Sequence, residues 1–149
     1  MGIEAAISAS RARASSFTRE LFEADQWDAE RVAGFVNARR NATVASVSTS
    51  GQPHAAVVIA ASADDEIYFT VNPSSVLARN VLDNERIAVS VCDTKDAVMA
   101  QGRAVRVGPA LELVELIRRL GALISSGQFT PDGWDGDVYR VDLKRLVAN

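Results

Sequence analysis

"ATVASVSTSGQPHAAVVIAASADDEIYFTV", residues 42–71, decides how this chain folds. "ATVASVS" (42–48) is built from β-branched and small residues, the composition of a pleated strand. "TSGQP" (49–53) is turn chemistry, with Gly51 free to take positive φ. "HAAVVIAAS" (54–62) is a second strand, apolar on both faces. "ADDE" (63–66) turns the chain again, and "EIYFTV" (66–71) returns with Ile67, Phe69 and Val71 alternating against Tyr68 and Thr70. Three strands joined by two short turns predict an antiparallel meander, because a parallel pair needs a much longer crossover. Strand two needs cover on its outer face as well as its inner one, and a dimer partner or a flat ligand would supply it.

Working outward, "DAERVAGFVNARR" (28–40) reads as a helix capped by Asp28, with Val32, Phe35 and Val36 on one stripe. "FTRELFEADQW" (17–27) reads as an earlier helix with Phe17, Leu21 and Phe22 inward. Residues 1–16 lack the apolar core of a secretion signal and read as a loosely ordered leader or a frayed helix. On the other side, residues 74–83 form a short helix, and "ERIAVSVC" (85–92) alternates Ile87, Val89 and Val91 against Ala88 and Ser90. "AVMAQGRAVRVG" (97–108) is a long strand whose interior Gly102 marks a bulge or a close backbone approach. "PALELVELIRRLGALISSG" (109–127) is a helix that begins at Pro109. "DVYRVDLKRLV" (137–147) is a closing strand, with Tyr139, Val141 and Leu143 opposing Val138, Arg140 and Asp142. Six strands with few helices predict one mostly-β domain, a small antiparallel barrel with flanking helices over residues 1–149.

Composition narrows the function classes. A net charge of −3 and a pI near 5.2 argue against a nucleic-acid binder or an acidic-membrane binder, which need a concentrated basic face. One cysteine and one histidine exclude an intrachain disulfide and a zinc site built unaided, and point to a reducing, cytoplasmic setting. No apolar run approaches the roughly 18 residues of a membrane span.

"FTVNPSSVLARN" (69–80) is where the chemistry gathers. The strand breaks at Asn72-Pro73, Ser74 and Ser75 stand at a helix start, and Arg79 follows one turn later. Hydroxyls, helix N–H groups and a guanidinium together hold a phosphate, while backbone groups of Thr70 to Asn72 meet the polar edge of a ring. The plainer reading is that Ser74 only caps the helix and Arg79 is solvated. Gln101 and Arg103 flank Gly102 on one face, where they either touch a ring or its phosphate across a dimer or pair at the interface. Trp134 either covers a pocket rim or plugs the barrel end. His54 reads as a strand-edge residue, Cys92 as a buried structural thiol, and Asp64, Asp65 and Glu66 as a solvated hairpin tip.

The order of these pieces resembles the FMN-binding split β-barrels related to pyridoxamine 5′-phosphate oxidase, a superfamily that includes F420-dependent and FMN-dependent reductases. The resemblance is carried by "SGQPH" (50–54), "YFT" (68–70), "ARN" (78–80) followed by "NERIAVSV" (84–91), and "GRA" (102–104). It runs from about residue 30 to 107, and the strand at 137–147 fits the family's C-terminus. It implies a six-stranded Greek-key split barrel, a homodimer with cofactor sites at the interface, and hydride transfer through FMN, or alternatively F420, to a small organic substrate. It also implies that strand two, at Val58, and the stretch with Ser74, Ser75, Arg79 and Asn80 hold the cofactor's phosphate. The ring would lie against Thr70 and Asn72, with Gln101, Arg103 and Trp134 completing the site. A non-catalytic barrel that binds a flavin or haem, or a cofactor-less dimeric scaffold, is the alternative. Leu77 stands where many relatives carry lysine, and Ala56 about where some carry arginine. His54, Arg103, Arg106 or Arg140 would then have to replace the missing charge.

Overall fold

In the computed structural model, residues 1–22, 27–125 and 136–149 are described. Six strands follow one another as β1 (Asn41–Val47), β2 (Pro53–Ala63), β3 (Glu66–Val71), β4 (Arg86–Cys92), β5 (Ala97–Pro109) and β6 (Asp137–Ala148). They close into a barrel in the order β1-β2-β3-β6-β5-β4, with every pair antiparallel. The meander β1-β2-β3 is as the sequence predicts, and the chain's return from β5 to β6 beside β3 completes the Greek key. Flanking it are α1 (Ile3–Arg13), α2 (Ser16–Phe22), α3 (Ala29–Arg39), α4 (Val76–Asp83) and α5 (Val114–Ser125).

The barrel interior is filled by the inward-facing half of each strand, among them Val44, Ile67, Phe69, Val89, Val91, Val141 and Leu143. Phe69 and Tyr139 stack at 5.5 Å between ring centroids. Each such side chain contributes about 1.5–3 kcal/mol by leaving water. A second apolar layer lies outside, where Ile117 and Leu120 of α5 cover Ala61, Ala63, Tyr68 and Val138. The outer face of strand two is therefore covered by a helix of the same chain over its second half. Over its first half it stays open, with Val57 73% exposed and Ile59 41%.

Gly102 is both things that its position predicts. The β5–β6 register shifts between Gln101 and Gly102, and a Cβ there would stand 2.2 Å from the Asp142 carbonyl oxygen. Pro109 corrects the predicted helix start, for it ends β5 opposite Asp137, and a single 3-10 turn (Ala110–Glu112) separates it from α5. Asp28 caps α3 as expected, accepting from the Arg31 N–H at 2.8 Å. The N-terminal residues are not a loose leader. Ile3, Ala6, Ile7 and Ser10 are the buried face of α1, which packs against β6. Ser10 Oγ accepts from the Leu146 N–H at 2.8 Å, and Asp65 takes the N–H groups of Ile3 and Glu4 at the helix start. In α2, Phe17 is 69% exposed rather than inward. Residues 23–26 of the predicted 17–27 helix and the Leu21 and Phe22 side chains lie outside the described residues, and Trp27, its predicted last residue, is not helical and is buried.

Candidate functional site

The β3–α4 corner is built by local hydrogen bonding. Asn72 Oδ1 accepts from the Ser74 N–H at 2.9 Å, and the Asn72 carbonyl from the Ser75 N–H at 3.0 Å. Ser75 then caps α4, its Oγ accepting from the Ala78 N–H at 3.1 Å. Ser75, not Ser74, is thus the cap, and Ser74 stays exposed. These bonds use the Ser74 and Ser75 N–H groups and leave those of Val76 and Leu77 as the unused donors of the first turn. Arg79 is exposed and makes no ion pair among the described residues. Two serine hydroxyls, two helix N–H groups and one unpaired guanidinium make a cradle for one anionic group.

Three neighbours turn away from that cradle. Asn80 is 4% exposed, and its Nδ2 donates to Ser46 Oγ at 3.0 Å, so it ties α4 to β1. Leu77, at the position where lysine was missed, is buried in the barrel core with Ala78 and Val81. Val58 is half-buried against the same core. The β2–β3 ladder stops at Ala60 and Phe69, whereas β1 and β2 stay paired as far as Val47 and Pro53. Ala60 donates its N–H to the Arg40 carbonyl on the β1 side, so by antiparallel alternation Ala55 and Val57 direct their backbone groups to the edge that no strand covers. Backbone donors and acceptors thus stand at this split, next to Thr70 at the end of β3.

A second surface lies on the outside of the sheet. Two rows of residues cross five strands. One runs Val57, Thr43, Ser90, Met99 and Val147, and the other Ala55, Ala45, Ala88, Gln101 and Arg145. Small side chains in the middle of both rows leave a shallow concavity of about 470 Å³, with Gln101 and Arg145 at its polar end. Arg145 escaped the sequence reading because the register shift at Lys144 changes the phase of β6: alternation from Val141 and Leu143 alone would turn residue 145 inward, and the shift turns it outward. Within one protomer the middle of this surface reaches Ala45, next to the Ser46 that binds Asn80 of α4, while its Arg145 end lies away from the β3–α4 corner along β6. Val71 pairs with Asp137 at one end of β6 and Gln101 with Arg145 near the other, eight residues or roughly 26 Å along the strand at about 3.3 Å per residue.

The arginines proposed to replace a missing charge are engaged. Arg103 pairs with Glu85 at 3.1 Å, Arg140 with Glu66 at 2.6 Å, and Arg106 with Asp137 through two bonds at 2.8 and 2.9 Å. The Asp137 carboxylate holds the Arg106 guanidinium above its usual range. His54 sits opposite Ser46 on β2, half-buried, with Nδ1 shielded and unpartnered. Cys92 is exposed rather than buried. The hairpin tip is also not merely solvated: Asp64 pairs with Arg119 at 2.6 Å, Asp65 caps α1, and Glu66 accepts from Tyr68 Oη at 2.9 Å. Trp134 lies outside the described residues. No group of three or more histidine, cysteine or carboxylate side chains placed to hold a metal occurs among the described residues, and no helix there is long and apolar enough to cross a membrane.

Barrel, split and cradle define a split-barrel protein. Residues 29–146 match the pyridoxamine 5′-phosphate oxidase family, and the chain belongs to it. Among solved structures it is similar to a protein of unknown function from Agrobacterium tumefaciens, with 22% identity and a TM-score of 0.63; the match covers 85% of this chain but 58% of that one. It is similar to an F420 reductase with 19% identity and a TM-score of 0.60, over 76% of this chain and 93% of that one. It is also similar to HutZ, the haem storage protein from Vibrio cholerae, with 16% identity and a TM-score of 0.57, over 79% and 92%. None of the curated proteins matches the chain.

Proposed function

We propose that this chain works as a homodimeric oxidoreductase that holds FMN, or alternatively F420, and acts on a small organic substrate. The observation that carries this reading is Arg79, an unpaired guanidinium one turn into α4, beside serine hydroxyls and unused helix N–H groups. Those groups fit a single phosphate. Ser74, Ser75 and Arg79 would hold it, and the open edge of β2 offers backbone donors and acceptors to a ring's polar rim. A flat ring would lie against the small-residue rows of the outer face, where Gln101 and Arg145 of a second copy would bring polar groups to it. When bound, a flavin or deazaflavin supplies hydride transfer; the protein supplies position and electrostatics.

The test is a titration of the purified chain with FMN and with F420, wild type against Arg79→Ala. Loss of a charge-assisted contact weakens binding by about 10–100-fold. Wild-type protein that binds neither at tens of micromolar, or an Arg79→Ala variant that binds as tightly, removes the reading. A second reading, ligand storage without turnover, is favoured by the ion pairing of Arg103, Arg106 and Arg140, which leaves the cradle with little positive charge. The likeness to HutZ makes haem its first candidate, and haem uptake with no turnover of FMN or F420 would select it.

A further inference from the structure

We propose that His54 is a ligand-contacting residue, its ring proton held on Nε2 and offered to an acceptor oxygen of the molecule that the β3–α4 cradle binds. The assignment rests on the flavin reading of that cradle. It adds to it a residue from another strand, at a stated atom and with a stated hydrogen-bonding sense.

The fold brings His54 to the place where the two parts of the site meet. Alternation along β2 turns it to the same side as Ala56 and Val58, which pack against the core. Its cross-strand partner is Ser46, whose Oγ accepts from Asn80 of α4, the residue that follows Arg79. The helix packs against both β1 and β2. Ala55 and Val57, the next residues of β2 on the other phase, direct their backbone groups to the edge that no strand covers. His54 therefore stands between the helix that carries the cradle and the free edge of β2. A molecule held by both passes this side chain.

Neither ring nitrogen is used by the fold. Nδ1 is sealed from solvent and has no partner among the described residues. Nε2 has none either, but it reaches solvent. The nearest hydroxyl across the ladder, Ser46 Oγ, is already taken up by Asn80. A sealed N–H with no acceptor is rarer in folded proteins than a sealed acceptor with no donor. The proton therefore belongs on Nε2, where water or a ligand can take it. In that tautomer the one accessible polar atom of the ring is a donor. A phosphate oxygen or a ring carbonyl accepts from it, whereas an ammonium group or another N–H does not.

His54 is the sole histidine, so the long-range proton–nitrogen spectrum of the full chain, labelled with nitrogen-15 histidine, reports one ring. At about pH 8.5, above the ordinary histidine range, the unliganded chain shows the Nε2–H tautomer. Saturating FMN, or F420 if only F420 binds, moves the Nε2 resonance. Riboflavin, which lacks the phosphate, distinguishes the two acceptors: a shift with FMN alone assigns the phosphate, and the same shift with both assigns the ring. Among variants verified as folded by thermal melts, His54→Gln keeps an N–H near the Nε2 position and holds affinity within about twofold, whereas His54→Leu loses about 5-fold, the worth of one neutral hydrogen bond. An Nδ1–H tautomer, an Nε2 resonance unmoved by saturating ligand, or wild-type affinity in His54→Leu would overturn the assignment and leave the flavin reading standing. A chain that binds neither FMN nor F420 removes both.

Discussion

Asn80 Nδ2 donates to Ser46 Oγ at 3.0 Å, and both side chains are sealed inside the protein. This bond joins α4 to β1, so the helix that carries the cradle is fixed to the barrel by a buried polar contact. Asn80→Ala removes the donor and leaves a void beside the Ser46 hydroxyl. The expected loss is about 1–3 kcal/mol, with a Tm lower by roughly 2–4 °C per kcal/mol at this chain length. The Ser46→Ala/Asn80→Ala double variant loses less than the sum of its two single variants, and denaturant melts of Ser46→Ala, Asn80→Ala and the double variant measure the coupling.

Leu77 stands where the resemblance implies a lysine, yet its side chain is 1% exposed in the core. Leu77→Lys therefore drives an ammonium group into hydrocarbon and costs several kcal/mol without tightening FMN. Arg79→Ala changes stability by no more than about 0.5 kcal/mol, because Arg79 is exposed and unpaired. Chemical denaturation alongside FMN titration separates the two effects; a Leu77→Lys protein of wild-type stability with tighter FMN would show that the side chain reaches the cradle.

Two glycines make an opposed pair. Gly102→Ala places a methyl 2.2 Å from a backbone oxygen of β6 and forces the strands apart, at a cost of about 1–3 kcal/mol or more. Gly34→Ala meets nothing within 4 Å in the middle of α3 and stabilises by about 0.5–1 kcal/mol. Their melting temperatures should move in opposite directions.

Both tyrosines resist ionisation. Burial first, then the hydrogen bond to the Glu66 carboxylate, pushes Tyr68 up to about 12. Burial also raises Tyr139. With the folded value above the unfolded one, the stabilising contribution is intact below pH ~10 and is lost as pH rises toward ~12, when only the unfolded chain releases the proton easily. For Tyr68 that loss amounts to about 2 kcal/mol. Stability curves of wild type and Tyr68→Phe should converge as pH climbs through this window, and tyrosinate absorbance of the native protein should appear late.

Val57 tests the assembly. A glutamate at this exposed site places a charge at the β2 end of the face proposed to meet a second copy, and desolvating it disfavours association by several kcal/mol. Sedimentation should show wild type as a dimer and Val57→Glu as a folded monomer with weakened FMN binding. A wild-type monomer would remove the two-copy site.

What could be read in the sequence was what neighbours along the chain decide. The alternation of 66–71, the Asp28 cap and the mid-strand Gly102 are local signals, and each does in the structure what its type requires. Residues 3, 6, 7 and 10 carried the same kind of signal, a helical stripe, hidden among small and polar residues. Cys92 follows Val91 in an alternating strand, and that alternation alone turns it outward. Pro109 misled because it suits a helix start and a strand end equally, and only pairing with Asp137 decides between them. The site was harder. Partners such as Glu85 for Arg103, Glu66 for Arg140 and Ser46 for Asn80 lie 18, 74 and 34 residues away in sequence and meet only when the barrel closes.

The short helix between β3 and β4 does two jobs on two sides. Leu77, Ala78, Asn80 and Val81 belong to the barrel, whereas Ser74, Arg79 and Leu82 belong to water. Selection acting on the wet side can alter what the protein recognises while the architecture is inherited unchanged. Related chains can therefore diverge in ligand by trading a few outward residues of a single helix.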